Sequence, residues 1–344
     1  MRNIATAILA IALLSVASCK KESAHVINVN YPAAYVVNGA SGNISVIRLS
    51  DNTVTETISL NGASFPHHIY MNPAKTKLAV AVTGTDLSVK QSTHGSLTSG
   101  YKILIIDAVT GAIDKEISLP KMAHNAVFSP NGLELWVGQS DTLESAVVVF
   151  RVSDWQPTDT VLVGDYVSEI TFTADGSLAM ATCTGADWIN MIYADTKLIQ
   201  CATYTLGRHP IGTWKGTVDY SYTNNEQAES ISEIDIANDS TRSVTPCGFN
   251  PGYVAYKTLN DELWVSDATN GRVVIFTNSG GTWTPMHTIT TGANAHAITF
   301  NTDESLAYVS NQDAGTISVI NTATHTKTKD ITVGQKPNGI VLKQ

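Results

Sequence analysis

The sequence has little cysteine. Its 344 residues include four cysteines, and the three in the body of the chain are Cys183, Cys201 and Cys247. Three cysteines cannot all pair with one another, and no Cys-x-x-Cys or zinc-ribbon spacing is present. One disulfide between two of these three cysteines is possible, but we favour the interpretation that all three are buried free thiols. Cys183 and Cys201 are expected on strands two apart in one sheet, about 9–10 Å from each other, which is too far for a bridge.

Basic residues are also scarce, with 21 Lys and Arg against 30 Asp and Glu. This balance argues against nucleic acid or an anionic membrane surface as a partner. Serine nucleophile elbows and glycine-rich phosphate loops are absent as well. The sequence therefore lacks these local signatures of acyl and phosphoryl transfer.

No hydrophobic run reaches the length of a membrane span, and the longest candidate, residues 8–14, lies near the N-terminus. It follows the basic Arg2 and leads through small residues into Cys19, which resembles a secretory signal with the lipobox of bacterial lipoproteins. This resemblance implies a signal peptide over residues 1–18, a lipid on Cys19 and a polar tether over residues 19–30. The protein would then be an outer-membrane lipoprotein facing the periplasm or the cell surface. The alternative is an ordinary secretory signal with a chance cysteine.

An internal repeat is the most informative feature. The stretch "LAYVSNQDAGTISVINTATHTKTKDITVG" (306–334) repeats "AAYVVNGASGNISVIRLSDNTVTETISLNG" (33–62) almost element by element, and related phrases occupy 135–150 and 263–276. Each phrase predicts three short strands joined by turns, and a further strand precedes it, as in 295–301 and 337–344. Four short strands per unit are typical of a β-propeller blade.

The leading strands align at seven equivalent positions, namely His67, His124, Ser168, Pro210, Gly252, His296 and Asn338. Their successive separations are 57, 44, 42, 42, 44 and 42 residues. The sequence thus predicts an all-β, seven-bladed propeller with four antiparallel strands per blade, in one domain over residues 31–344. The chain begins within a blade and ends on a lone first strand, so the C-terminal strand should complete the N-terminal blade and close the ring. The alternative all-β folds, two β-sandwiches or a solenoid, do not explain why the repeat is circularly permuted between the two ends of the chain.

The phrases "YVVNGASGNISVI" and "YVSNQDAGTISVIN" resemble the repeat of the YVTN or YncE-like β-propeller family. The resemblance covers nearly the whole chain after the signal, although middle blades such as 220–236 depart from it. It implies an extracytoplasmic protein that usually binds rather than catalyses, with lactonases and redox proteins among distant relatives. With the lipobox, the ring also looks like the propeller lipoproteins with which Gram-negative bacteria capture corrinoids such as vitamin B12. No binding residue can be transferred, because the shared motifs belong to the scaffold.

Histidines are expected to gather on one face of this ring. The first strand of each blade lines the central channel, and the loops that enter it form the upper face. Six of the nine histidines are expected there: His67, His68, His94, His124, His209 and His296. His94 lies in the only large insertion, residues 83–101, and a long loop on a regular scaffold is usually functional.

We therefore predict a ligand site at the upper mouth of the channel. Besides the six histidines it is expected to include Asn125, Tyr166, Glu169, Trp188, Arg208 and Asn338. Such a mixture of groups around a concavity is typical of a small-molecule site. The simpler interpretation is that the histidines cap backbone groups in a wet mouth. A dedicated metal site is less favoured, although imidazole is the commonest metal ligand, because the radius of the ring should hold blades 2 and 7 apart.

Three functions remain open. The favoured one is a lipid-anchored binding protein that captures a small molecule, best a corrinoid, and passes it to an outer-membrane transporter. The second is a lactonase-like or metal-assisted hydrolase, with His124 or His67 as general base and Glu169 or Asp187 as the orienting carboxylate. The third is a scaffold for protein–protein interaction. We expect no catalytic residue under the first and third.

Overall fold

The computed structural model describes residues 26–88, 100–141 and 144–344. These ranges form seven four-stranded antiparallel sheets, which are the blades of a β-propeller. The predicted fold class, blade number and strand count are confirmed. The signal segment, Cys19 and His94 lie outside the described residues. Within the described ranges, no helix is long and apolar enough to cross a membrane.

The blades are numbered from the N-terminus. Blade 1 contains β1 (Ala33–Asn38), β2 (Asn43–Arg48) and β3 (Thr53–Ser59). Blade 2 contains β4 (Pro66–Met71), β5 (Lys77–Val82), β6 (Lys102–Asp107) and β7 (Ile113–Ser118). Blade 3 contains β8 (Met122–Phe128), β9 (Glu134–Ser140), β10 (Ala146–Arg151) and β11 (Pro157–Leu162). Blade 4 contains β12 (Val167–Phe172), β13 (Leu178–Cys183), β14 (Trp188–Tyr193) and β15 (Ile199–Tyr204).

The second half of the ring follows the same plan. Blade 5 contains β16 (Pro210–Lys215), β17 (Tyr220–Asn225), β18 (Ser230–Asp235) and β19 (Ser240–Pro246). Blade 6 contains β20 (Pro251–Lys257), a 3-10 turn (Thr258–Asn260), β21 (Glu262–Asp267), β22 (Arg272–Ser279) and β23 (Thr282–Thr290). Blade 7 contains β24 (Ala295–Phe300), β25 (Leu306–Asn311), β26 (Thr316–Asn321) and β27 (Thr326–Thr332). The last strand is β28 (Pro337–Lys343).

The ring closes through β28. This strand pairs antiparallel with β1, with Ala33 opposite Lys343 and Val36 opposite Ile340. It is therefore the innermost strand of blade 1, although it is the last strand of the chain. The two ends of the chain are joined by sheet hydrogen bonds, as the permuted repeat predicts.

Burial follows the position of a strand in its blade. All six residues of β1 are buried, whereas most of the outermost strand β3 is exposed or half-buried. Central strands pack against the neighbouring blade on each side, which explains why their sequences are apolar runs rather than alternating patterns. Aromatic residues at second-strand positions are part of this packing. The largest of the fully buried side chains are Trp136, Trp264, Tyr35 and Tyr308.

The asparagine of the repeated phrase holds a turn inside the blade. In three blades a buried asparagine at the end of the second strand donates to a serine on the third: Asn38 to Ser45 at 2.9 Å, Asn225 to Ser232 at 2.8 Å and Asn311 to Ser318 at 2.9 Å. A glycine from the preceding blade's last loop lies against each amide: Gly334, Gly207 and Gly292. A Cβ at any of these glycines would lie within 3 Å of the asparagine side chain, so the absence of a side chain permits this contact between blades.

The body cysteines are free thiols, but of the three favoured as buried only Cys183 is, and Cys201 and Cys247 are half-buried. Cys183 on β13 and Cys201 on β15 are separated by β14, which keeps them on non-adjacent strands. Burial raises the pKa of the Cys183 thiol to about 12 and that of Cys247 to about 12, so both are protonated at neutral pH. Thiol chemistry is therefore suppressed at these two positions.

Removing residues 337–344 should prevent formation of a stable monomer. The deletion leaves blade 1 without its innermost strand and exposes the edge of β1, where another chain can pair. We expect the cooperative thermal transition to be lost in circular dichroism and aggregates to replace the monomer in size-exclusion chromatography. Deleting Gln344 alone leaves β28 complete and serves as the control. An unchanged melting temperature in the longer deletion would show that the ring does not depend on this closure.

Candidate functional site

The innermost strands share a break in register near their start. In β4, Pro66 pairs with Val82 but Ile69 pairs with Val80, so His67 and His68 together oppose one residue of β5. The same shift occurs in β8, β12, β16, β20 and β24. A β-bulge of this kind bends the strand and re-aims its side chains. Both imidazoles consequently reach the channel, where a regular strand would turn one of them away.

The register also corrects one position of the sequence alignment. Pro210 pairs with Asn225 as Pro66 pairs with Val82, so Ile211, not Pro210, occupies the position of His67. The sequence prediction was one residue out because the proline that begins β16 was aligned with the histidine instead of with Pro66. The first bulge positions are His67, His124, Ser168, Ile211, Gly252, His296 and Asn338. The second bulge positions are His68, Asn125, Glu169, Gly212, Tyr253, Ala297 and Gly339.

Four imidazoles converge at the axis of the ring. The ring centroid of His67 lies 4.5 Å from that of His68, 4.4 Å from His124 and 6.3 Å from His296. His68 lies 4.8 Å from His124 and 5.8 Å from His296. The expectation that the ring holds blades 2 and 7 apart is wrong. Only β28 lies between their innermost strands, and the imidazoles of His67 and His296 lie 6.3 Å from each other. We call these four residues the histidine cluster.

Hydrogen bonds run through the cluster from blade 1 to blade 3. The Asn338 amide Nδ2 lies 2.5 Å from Nδ1 of His67, and Nε2 of His67 lies 3.0 Å from Nε2 of His124. If Asn338 donates to Nδ1, the proton of a neutral His67 is on Nε2 and is donated to His124. One strand from each of three blades thus orients the imidazole pair.

Burial keeps the deeper histidines neutral. It lowers the pKa of His68 well below the ordinary value of 6.5, and the proximity of His124 and His296 adds to the effect. The narrow channel likewise lowers the pKa of His296 to about 4, with the Asn338 side chain opposing the shift, although His296 keeps some surface open to the cavity above. Neutral imidazole offers a nitrogen lone pair, which is the form that binds metal ions or accepts protons.

A buried carboxyl lies in the layer of second bulge positions. Glu169 on β12 is 1% exposed, and its Oε1 accepts a hydrogen bond of 2.5 Å from the Tyr70 hydroxyl. Burial raises the pKa of Glu169 to about 7, although the Tyr70 hydrogen bond opposes this. Its Oε2 has no hydrogen-bond partner among the described residues. A Cβ at Gly212 would lie 2.5 Å from that oxygen, so the glycine makes room for the carboxyl group.

Two cavities open along the channel. The upper one has a volume of about 760 Å³ and is lined by His67, His124, His296 and the surrounding loops. The lower one, of about 690 Å³, is lined in part by Tyr70, Trp214 and Tyr253. His68 and Glu169 line neither cavity and lie in the layer between. Three members of the histidine cluster, His67, His124 and His296, therefore form the floor of the upper cavity, and His68 lies beneath them.

The other predicted residues are distributed unevenly. Asn125 lies in the buried layer, where it hydrogen-bonds the backbone of Ile170, and Tyr166 lines the upper cavity. Trp188 packs edge-on against Tyr204 within blade 4 and does not line the upper cavity. Arg208 is an exposed loop residue.

His209 is placed outside the cluster by its backbone. It has a φ of 62°, the left-handed conformation, and directly precedes β16. Tyr166 has the same conformation directly before β12. His209 and Tyr166 are each the last residue of a loop and not part of the strand that follows. Their side chains therefore do not occupy bulge positions. Nδ1 of His209 instead lies 3.7 Å from a carboxylate oxygen of Glu226.

Sequence reasoning missed three aromatic residues of the lower channel. Tyr70 holds Glu169, and the rings of Trp214 and Tyr253 lie 4.2 Å apart. For Tyr70 a signal was available, since it lies two residues beyond His68 on the same strand and side chains at this spacing share a face. Its contact with a residue 99 positions away has no counterpart in the local sequence.

Comparisons with known proteins establish the fold and no more. Neither the family models nor the curated protein sequences contain a match. A functionally unknown protein from Desulfotomaculum acetoxidans superposes with a TM-score of 0.74 at 11% identity, covering 90% of this chain and 98% of that chain. The periplasmic gluconolactonase PpgL of Pseudomonas aeruginosa gives 0.70 at 14% identity, covering 91% and 99%. A putative 6-phosphogluconolactonase from Bacteroides fragilis gives 0.67 at 14% identity, covering 92% and 99%.

Glu169→Gln should remove a pH-dependent destabilisation. The folded-state pKa of about 7 exceeds the ordinary value of 4.5, so the unfolded chain loses this proton first as the pH rises. In the wild type this group should lower the free energy of unfolding between pH 4.5 and 7, by about 3 kcal/mol at most. Chemical denaturation at several pH values measures the difference from Glu169→Gln, with the exposed Glu144→Gln as control. If the free energy of unfolding depended on pH in the same way in wild type and Glu169→Gln, the raised pKa of the buried carboxyl would be contradicted.

Proposed function

We propose that this protein is a binding protein that captures a small molecule in the upper cavity of the propeller. The observation that carries the proposal is the convergence of the histidine cluster at the floor of that cavity. The volume of about 760 Å³ lies within the range of about 300–1,000 Å³ usual for small-molecule pockets. Imidazoles from blades 2, 3 and 7 can all contact one ligand there.

The walls of the cavity favour a ligand rich in hydrogen-bonding groups. Amide side chains, which both donate and accept hydrogen bonds, stand around the mouth: Asn250, Asn270, Asn294 and Gln312. Among the described residues the lining contains no Lys or Arg, and it includes the acids Glu226 and Asp313. Asp313 is paired with Lys336 at 2.5 Å. A strongly anionic ligand is therefore disfavoured.

A corrinoid such as vitamin B12 is the ligand we favour. It is a metal-bearing macrocycle with amide groups around its rim, and those amides match the polar walls. An imidazole nitrogen of the floor can in addition bind the metal of such a ligand. The signal and lipobox support the further proposal that the protein acts outside the cytoplasm, anchored through Cys19, and passes its ligand to an outer-membrane transporter.

A metal-assisted or lactonase-like hydrolase is the second candidate. The 3.0 Å approach of the His67 and His124 Nε2 atoms favours it, since neutral imidazoles can act as general bases. Two of the similar solved structures are described as a gluconolactonase and a putative 6-phosphogluconolactonase, which adds weight through fold alone. The hydrolase ranks second because the carboxyl of Glu169 is hydrogen-bonded by Tyr70, so it does not present itself as the orienting partner of a general base.

Titration with cobalamin and cobinamide tests the favoured ligand. We expect a change in the corrinoid absorbance spectrum and saturable binding by calorimetry at micromolar protein. His67→Ala and His124→Ala should weaken binding by about tenfold or more, since each removes a floor contact worth about 1–3 kcal/mol. The exposed His287→Ala is the matched control, because it removes an imidazole from the outer strand β23.

Two outcomes would contradict the proposal. Absence of any signal with either corrinoid excludes this ligand class. Equal affinity in wild type, His67→Ala and His124→Ala would move binding away from the upper cavity. Hydrolysis of a lactone panel that is lost in His124→Ala and kept in His287→Ala would instead establish the second candidate.

A further inference from the structure

We propose that His67, His68 and His124 form a binding site for one divalent transition-metal ion, with a coordination position open to the upper cavity. One ligand nitrogen from each of these three residues lies within 4.8 Å of the others. The inference is independent of the captured small molecule, because the metal alone is the ligand.

The spacing suits a small ion. Zinc–nitrogen bonds of about 2.0–2.1 Å in a tetrahedral site place the nitrogens about 3.3 Å apart. His67 and His124 already have their Nε2 atoms 3.0 Å apart. The third imidazole has to move by an ångström or so within the outer limit of 4.8 Å, which rotation about its side-chain bonds provides.

The donor set selects the kind of metal. All three donors are imidazole nitrogens, which suit Zn²⁺, Cu²⁺ and Ni²⁺, whereas Ca²⁺ and Mg²⁺ require oxygen ligands. Three protein ligands with a fourth position left for another molecule are the arrangement of zinc sites that bind or activate a ligand. His67 and His124 line the upper cavity and His68 lies beneath them, so the open position faces that cavity.

Two further residues support the site without binding the ion. Asn338 contacts Nδ1 of His67 at 2.5 Å, and a half-turn of its amide presents Oδ1 to an Nδ1–H proton. A partner of this kind on the second ring nitrogen orients a metal-binding histidine and raises its basicity. The ring of His296 lies 6.3 Å from that of His67 and 5.8 Å from that of His68, and its Nε2 makes no hydrogen bond within the described part of the chain. It is therefore placed to contact whatever molecule completes the coordination.

The backbone makes this arrangement rigid. His67 and His68 lie on the bulge of β4, and His124 lies on the corresponding bulge of β8. Strand-borne ligands hold their geometry better than ligands on loops. The site therefore needs no folding step in order to bind a metal.

Metal titration decides the proposal. The purified protein is treated with EDTA, dialysed and titrated with Zn²⁺ by calorimetry and with Co²⁺ by visible absorbance. We expect one ion per chain and the intense visible bands of four-coordinate Co²⁺. His67→Ala, His68→Ala and His124→Ala should each lower the affinity by about 100-fold or more, and Asn338→Ala by about 10–100-fold.

The exposed His287→Ala should retain wild-type affinity and serves as the control. His287 stacks on His325 with centroids 4.2 Å apart, so loss of binding in this variant alone would place the ion at the surface pair and overturn the proposal. Wild-type protein that binds no stoichiometric ion would overturn it too. If an alanine variant fails to fold by circular dichroism, His67→Gln and His124→Gln keep a polar side chain and are tested in its place. Undiminished affinity in both glutamine variants would exclude the cluster.

Discussion

The site depends on one backbone constraint, the bulge near the start of each innermost strand. In a regular strand successive side chains point to opposite faces, and His68 would then face away from His67. Because two residues of β4 oppose one residue of β5, both imidazoles reach the channel. The same bulge aims His124 and His296 inward from two other blades. The cluster is therefore a consequence of a repeated backbone irregularity acting on a particular set of side chains.

Ring closure and the site share a strand. β28 completes blade 1, and it also carries Asn338, which contacts His67. At three blade junctions a glycine lies directly against a repeated asparagine of the neighbouring blade. A change that loosens the closure should disturb the histidine cluster as well, because Asn338 stands between His296 and His67 in the ring.

Burial at the axis determines the protonation state of the site. Burial favours the neutral form of both imidazole and carboxyl, which lowers the pKa of His68 and His296 and raises that of Glu169. The axis thus holds a set of largely uncharged polar groups instead of ion pairs. Such a set can bind a metal ion or a neutral, amide-rich molecule without first breaking a salt bridge, and this is the common basis of the two proposals.

The sequence alone determined the scaffold and most of its register. A repeat in the low forties predicted seven blades, and the permuted ends predicted closure by the last strand, because a propeller blade is a local unit that is legible from short stretches of chain. His67, His124 and His296 were found at equivalent positions for the same reason. The contact of Tyr70 with Glu169 and the approach of blades 2 and 7 were decided by the tertiary structure. His68 was included from the sequence because it adjoins His67, but the direction of its imidazole was decided by the bulge. Each depends on the radius of the closed ring or on a bulge, and those arise from how whole sheets pack against one another, which no short stretch of sequence encodes.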